Sequence, residues 1–110
     1  MKQFSLKFKI KSNGDGTFAI LSKISGDSKG LDVNGYSKNE GANVIRYNYS
    51  GSANQRWIFE KVNYTHPIVD GAIYYIKNYN SNLYLDVKNG EDANGANIRQ
   101  WVGNGADAQK

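Results

Sequence analysis

Leu85-Asp86-Val87, then Gly95-Ala96-Asn97-Ile98-Arg99-Gln100-Trp101, then Gln109, is the second appearance of one pattern. Leu31-Asp32-Val33, Gly41-Ala42-Asn43-Val44-Ile45-Arg46-Tyr47 and Gln55 stand 54 residues earlier, with no gap between Leu31/Leu85 and Gln55/Gln109. Leu, Asp, Val, Gly, Ala, Asn, a further Gly (Gly51/Gly105) and Gln are identical, and Val44/Ile98 and Tyr47/Trp101 are conservative exchanges. Self-similarity at a fixed period means that one supersecondary unit is built twice, and this outranks any local propensity.

Outward from the repeat, short apolar runs alternate with polar turns. Phe4, Leu6, Phe8 and Ile10 interleave with Ser5, Lys7, Lys9 and Lys11, the period of a half-buried strand. Ser12-Asn13-Gly14-Asp15-Gly16 predicts a turn into a second strand at 17–21, making a hairpin. Further strands are expected at 31–33, 43–49 and 55–62, with Trp57 and Phe59 facing inward. A surface connection at 63–69 holds His66-Pro67, and strands at 72–77 and 83–87 open the second copy. Each copy thus has about four short strands with one apolar face, too little to bury alone, so the copies should pack together.

The 110 residues suit a single domain, 1–110, with one repeat at about 4–57 and the other at about 58–110. A chain of this size buries only roughly two-thirds of its unfolded surface, so its stability margin is thin. No stretch is long enough to span a bilayer, so membrane insertion is not expected. The first residues alternate instead of building an apolar signal core. Without cysteine there is no disulfide framework and no thiolate metal site, and His66 is the only histidine. No metal and no cofactor is expected. The net charge of +4 comes from dispersed lysines, whereas a nucleic-acid partner calls for a concentrated basic stripe.

The ordered set Leu-Asp-Val, Gly-Ala-Asn-Val/Ile, an aromatic residue three positions on, and the complete word Gln55-Arg56-Trp57 resembles the ricin-type β-trefoil, a family of lectin and carbohydrate-binding modules. The resemblance covers essentially the whole chain. It implies an all-β fold of ricin-B-like trefoil repeats, two of three lobes in one chain. Three accounts of the missing lobe stand open: a longer protein, completion by association, or a smaller closed structure. An open strand edge and an exposed half-core favour association, so a homo-oligomer is expected, either a trimer or a swapped dimer.

The resemblance places the family's ligand-contacting aspartate on Asp32 and Asp86, its stacking aromatic on Tyr47 and Trp101, and its asparagine on Asn54. In the second copy that last position is Ala108, which has no amide, while Arg99 stands where the first copy has Ile45. Gln55 and Gln109 complete the set, and the loops at 34–39 and 88–92 form the walls. Asp32 and Asp86 also suit turn capping, Tyr47 and Trp101 suit a core, and Gln55 and Gln109 suit a structural role. The implied partner is a carbohydrate, a galactoside or xylan-type glycan, held through an aromatic face and bidentate hydrogen bonds. The alternative is a trefoil scaffold with degenerate sugar sites. Enzyme activity is not expected: there is no activated nucleophile, and the two aspartates belong to different repeats. The implied location is secreted or extracellular, as part of a larger protein.

Overall fold

The computed structural model describes residues 7–62, 73–90 and 97–110. Among the described residues eight strands form one antiparallel sheet: β1 (Phe8–Ser12), β2 (Phe18–Ser22), β3 (Lys29–Val33), β4 (Val44–Asn48), β5 (Trp57–Lys61), β6 (Tyr74–Asn78), β7 (Tyr84–Val87) and β8 (Ile98–Trp101). Their order is β4-β3-β2-β5-β6-β7-β8, with β1 paired to β2. The expected first hairpin is present, with Phe8 opposite Ser22 and Ser12 opposite Phe18. Against the sequence reading, Gln55 ends a single 3₁₀ turn, Ala53–Gln55, and β5 starts only at Trp57. Phe4, Leu6, the His66-Pro67 connection, the Asp70-Gly71 turn and Gly95-Ala96 lie outside the described residues.

The repeat in sequence is a repeat in structure. The β3–β4 hairpin pairs Asp32 with Ile45 and Val33 with Val44; the β7–β8 hairpin pairs Asp86 with Arg99 and Val87 with Ile98. Because side chains alternate across a strand, each Leu-Asp-Val sends its two aliphatic residues to one face and its aspartate to the other. Ile20, Val33 and Trp57 form the buried core, and Leu31, Val44, Phe59, Ile76 and Leu85 pack against it. Trp57 is fully buried and donates its indole N–H to the Leu31 carbonyl at 3.1 Å.

The second lobe braces the first. Gln100, fully buried, donates through Nε2 to the carbonyls of Ser37 and Asn39, both at 2.9 Å, while its Oε1 accepts from Ser81. Asn80 Nδ2 bonds the Tyr36 carbonyl at 3.2 Å, and buried Asn78 Nδ2 bonds that of Asn54 at 3.0 Å. The loop after Asp32 is therefore held by side chains of the other copy.

One size exchange separates the two hairpins. Gly30 lies against the Tyr49 ring, and a Cβ there would sit 3.1 Å from Tyr49 Cδ1. At the matching positions the large and small residues are swapped: Tyr84 replaces the glycine and Gly103 replaces the tyrosine. A Cβ on Gly103 would meet the Tyr84 ring at 2.7 Å. One ring per hairpin is accommodated, from opposite strands in the two copies.

Candidate functional site

Asp32, Asn34, Gly35, Tyr36, Ile45, Tyr47 and Asn54 line a cleft of about 270 Å³. Hairpin register puts Asp32 directly across from Ile45, with Tyr47 two residues further along the same face. Asp32 forms the floor: it is 6% exposed, and its Oδ2 accepts from Gln55 Nε2 at 2.9 Å. The same Gln55 nitrogen bonds the Asn48 carbonyl, and Gln55 Oε1 accepts from the Ser50 and Gly51 amides. Gln55 thus closes the turn before β5 and fixes the carboxylate; it contacts Asp32 and does not line the cleft. Asn54, 2% exposed, donates to the Val33 carbonyl at 3.0 Å and accepts from the Ser52 hydroxyl.

Burial raises the pKa of Asp32, and its hydrogen bonds with Gln55 and Asn54 act in the opposite direction. The walls contrast with that buried floor, since Tyr47 is 59% and Tyr36 57% exposed. Two large rings held out of the core over a buried carboxylate offer an apolar surface beside a strong acceptor.

Tyr36 was not singled out by the sequence except as part of the loop wall, and its backbone gives it weight. Its φ is +58°, following Gly35 at +67°; the matching pair in the second copy is Asn89 at +57° and Gly90 at +64°. The second copy fills the left-handed position with glycine, whereas the first puts a bulky aromatic residue there at a cost of about 1 kcal/mol. Comparing the two copies position by position is the signal that finds it. Strain retained at an exposed aromatic residue beside a cleft points to a role for the ring. Tyr36→Gly is therefore expected to raise the unfolding free energy by about 1 kcal/mol while weakening any ligand held in the cleft. Chemical denaturation and a ligand titration of the same variant check both halves.

In the second copy the structure brings Asp86, Arg99, Trp101 and Gln109 together in a closed arrangement. Gln109 repeats three of the bonds of Gln55, donating to Asp86 Oδ2 and the Val102 carbonyl and accepting from the Asn104 amide. Asp86 Oδ1, however, is taken by Arg99 Nε at 3.0 Å, and the Arg99 guanidinium lies 3.9 Å from the Trp101 ring centroid. Arg99 therefore occupies both the carboxylate and a stacking face. The cavity that Asp86 does line is an apolar slot of about 140 Å³ with Ile76, Leu85, Val87, Ile98 and Ala108, and neither Arg99 nor Trp101 borders it. The expected wall residues Glu91 and Asp92 lie outside the described residues.

Among the described residues no group of three His, Cys, Asp or Glu side chains is placed to hold a metal ion, and no helix is long and apolar enough to cross a membrane. The family model for the ricin-type beta-trefoil lectin domain-like group matches residues 2–101. The chain belongs to that family. No curated protein matches it in sequence. Among solved structures, this lectin-like domain is similar to the designed 3-fold symmetric protein ThreeFoil, with 34% identity and a TM-score of 0.77 over 93% of this chain and 66% of that one. It is also similar to an exo-β-1,3-galactanase from Clostridium thermocellum, with 28% identity and a TM-score of 0.76 over 93% of this chain and 20% of that one. The Polyporus squamosus lectin, at 20% identity and a TM-score of 0.73, shares the fold over 94% of this chain and 33% of its own. The lectin-like domain spans no more than about two-thirds of the length of each of these proteins.

Proposed function

We propose that this domain binds carbohydrate, without catalysis, in the cleft between Asp32 and Tyr47. The observation that carries the reading is the pairing of a buried, Gln55-oriented carboxylate with two exposed tyrosine rings. The carboxylate accepts from adjacent sugar hydroxyls, the Asn54 amide borders them, and Tyr47 and Tyr36 receive the apolar C–H face of the ring. A galactose-type glycan is the first candidate, in keeping with the 28% identical galactanase; a xylan-type glycan is the second. Affinity per cleft is expected to be weak, since the hydroxyls must be desolvated to bind.

A titration with methyl β-galactoside and xylobiose, read by NMR, tests this reading. The ring signals of Tyr36 and Tyr47 should shift saturably with at least one of the two sugars, and Tyr47→Ala should abolish the effect. Rings that stay still with both sugars would support the alternative, a scaffold with degenerate sites. The closed second copy supplies a further test. Opening it with Arg99→Ile and Ala108→Asn, the residues of the first copy, should free the second face of the pair Asp86 and Trp101. The Trp101 indole signal should then move on titration, as it does not in the unsubstituted protein.

Self-association belongs to the same proposal. Phe8 and Ile10 on β1 are 41% and 44% exposed, although they alternate with lysines as an inward row should. Register puts Phe8 opposite Ser22 as Trp57 is opposite Asn78, so Phe8 holds the position that the tryptophan holds on β5. The slot beside Asp86 is lined by Ile76, Leu85, Val87 and Ile98, counterparts of the residues that surround Trp57. Exposed apolar surface at both places favours a trimer or a swapped dimer, with several weak clefts acting together. A single monomeric species in sedimentation at micromolar concentration would count against it. A secreted or extracellular location, as part of a larger protein, fits such a role.

A further inference from the structure

The size exchange between the two hairpins has a chemical consequence outside the Asp32 cleft. In the first copy the ring of Tyr49 covers Gly30, and its hydroxyl donates to Asn13 Oδ1 at 3.1 Å. In the second copy the ring comes from the other strand: Tyr84 lies over Gly103, and beside it opens a cavity of about 400 Å³ lined by Glu60, Tyr75, Tyr84, Gly103, Gly105 and Gln109. The two tyrosine rings stand at 78° with centroids 6.0 Å apart, so they form two walls of a corner. Glu60 accepts from the Tyr84 hydroxyl through one carboxylate oxygen and pairs with Lys77 Nζ at 3.3 Å through the other. Burial, followed by the neighbouring carboxylate, pushes the Tyr84 hydroxyl up to about 12, so it stays a protonated donor at physiological pH.

We propose that this corner is a second saccharide subsite, separate from the Asp32 cleft, which takes one neutral pyranose ring against Tyr75 and Tyr84 with its hydroxyls on Glu60. The charge pattern selects the ligand class. An anion entering the corner meets the Glu60 carboxylate, and a cation finds that carboxylate already paired with Lys77. A neutral polyol instead finds a part-exposed acceptor, with 32% of the Glu60 side-chain surface open. Each carboxylate oxygen of Glu60 has a second lone pair beyond its internal bond, which leaves room for a sugar hydroxyl. The perpendicular rings offer a face and an edge to the apolar side of a pyranose. The first copy differs in the residues themselves: its ring is Tyr49, bonded to Asn13, and Lys11 and Ala19 stand at the positions of Glu60 and Tyr75.

The test is an NMR titration of the Tyr47→Ala protein, in which the Asp32 cleft is disabled, with methyl β-galactoside and with methyl β-xyloside. The ring signals of Tyr75 and Tyr84 are expected to shift saturably in the millimolar range with at least one of them. Restoring the first-copy arrangement with Tyr84→Gly and Gly103→Tyr together should remove the shift at Tyr75. In the protein with Tyr47 intact, the same double exchange should leave the Tyr36 and Tyr47 shifts untouched. Tyr75 and Tyr84 signals that stay still up to the solubility limit of both sugars overturn the subsite, whatever Tyr36 and Tyr47 do in the unsubstituted protein. A Tyr75 shift that survives the double exchange also overturns it, by showing unspecific contact.

Discussion

A Trp57→Ala protein is expected to be largely unfolded at room temperature. The indole is fully buried, packs against Ile20 and Val33, and holds the Leu31 carbonyl, so its loss leaves both a large void and an unpaired acceptor on β3. Truncating a buried aromatic residue costs roughly 3–5 kcal/mol, and the orphaned carbonyl adds about 1 kcal/mol or more. Whole domains are stable by only about 5–15 kcal/mol, and a chain of this length, which buries only roughly two-thirds of its unfolded surface, belongs near the lower end. Far-UV circular dichroism and the midpoint of urea unfolding measure the effect. Trp57→Phe, which keeps most of the volume, should recover most of the loss. An alanine variant as stable as the parent would mean that the core lies elsewhere.

Asp32→Asn should do the opposite, leaving the fold intact and emptying the cleft. The amide still accepts from Gln55 Nε2 through its oxygen, but it replaces one acceptor oxygen with a donor and removes the charge. A hydrogen bond to a charged group contributes about 1.5–3 kcal/mol, so losing the bidentate acceptor weakens sugar binding by roughly a hundredfold. The pH dependence follows from the same carboxyl. Its pKa in the folded protein is raised by burial, above that of the unfolded chain, so folding favours the protonated form. The contribution of Asp32 to stability is therefore present below the unfolded-state pKa and is lost as pH rises through the folded-state value. Binding runs the other way, since it needs the ionised acceptor. Affinity should fall on acidification at a pH above the ordinary aspartate range, while the stability term from Asp32 grows. Calorimetric titrations across acid pH, compared with unfolding midpoints of the parent and Asp32→Asn proteins, separate the two trends.

Much of this was legible in the sequence because the repeat is a repeat of hydrogen bonds. Gln55 and Gln109 stand 54 residues apart, and so do the aspartates and backbone groups they bond. The alternation in Leu-Asp-Val likewise follows from strand geometry alone. Three things were not legible. Gln100 reads as one more polar residue on a short strand, yet it is a buried brace between lobes, and long-range partners leave no local pattern. Tyr36 reads as a loop residue, because a left-handed φ shows only in the backbone. Arg99 reads as a replacement polar contact, but the choice of its own Asp86 and Trp101 as partners depends on cross-strand register and rotamer.

In the proposed complex a sugar ring lies on Tyr47 with its hydroxyls on Asp32. A crystal structure of the protein grown with methyl β-galactoside or xylobiose tests it most directly. The expected result is a pyranose stacked on the Tyr47 ring, adjacent hydroxyls within hydrogen-bond distance of the Asp32 carboxylate, and Gln55 still bonded to that carboxylate. An empty Asp32 cleft in crystals that hold the sugar at other positions would contradict it.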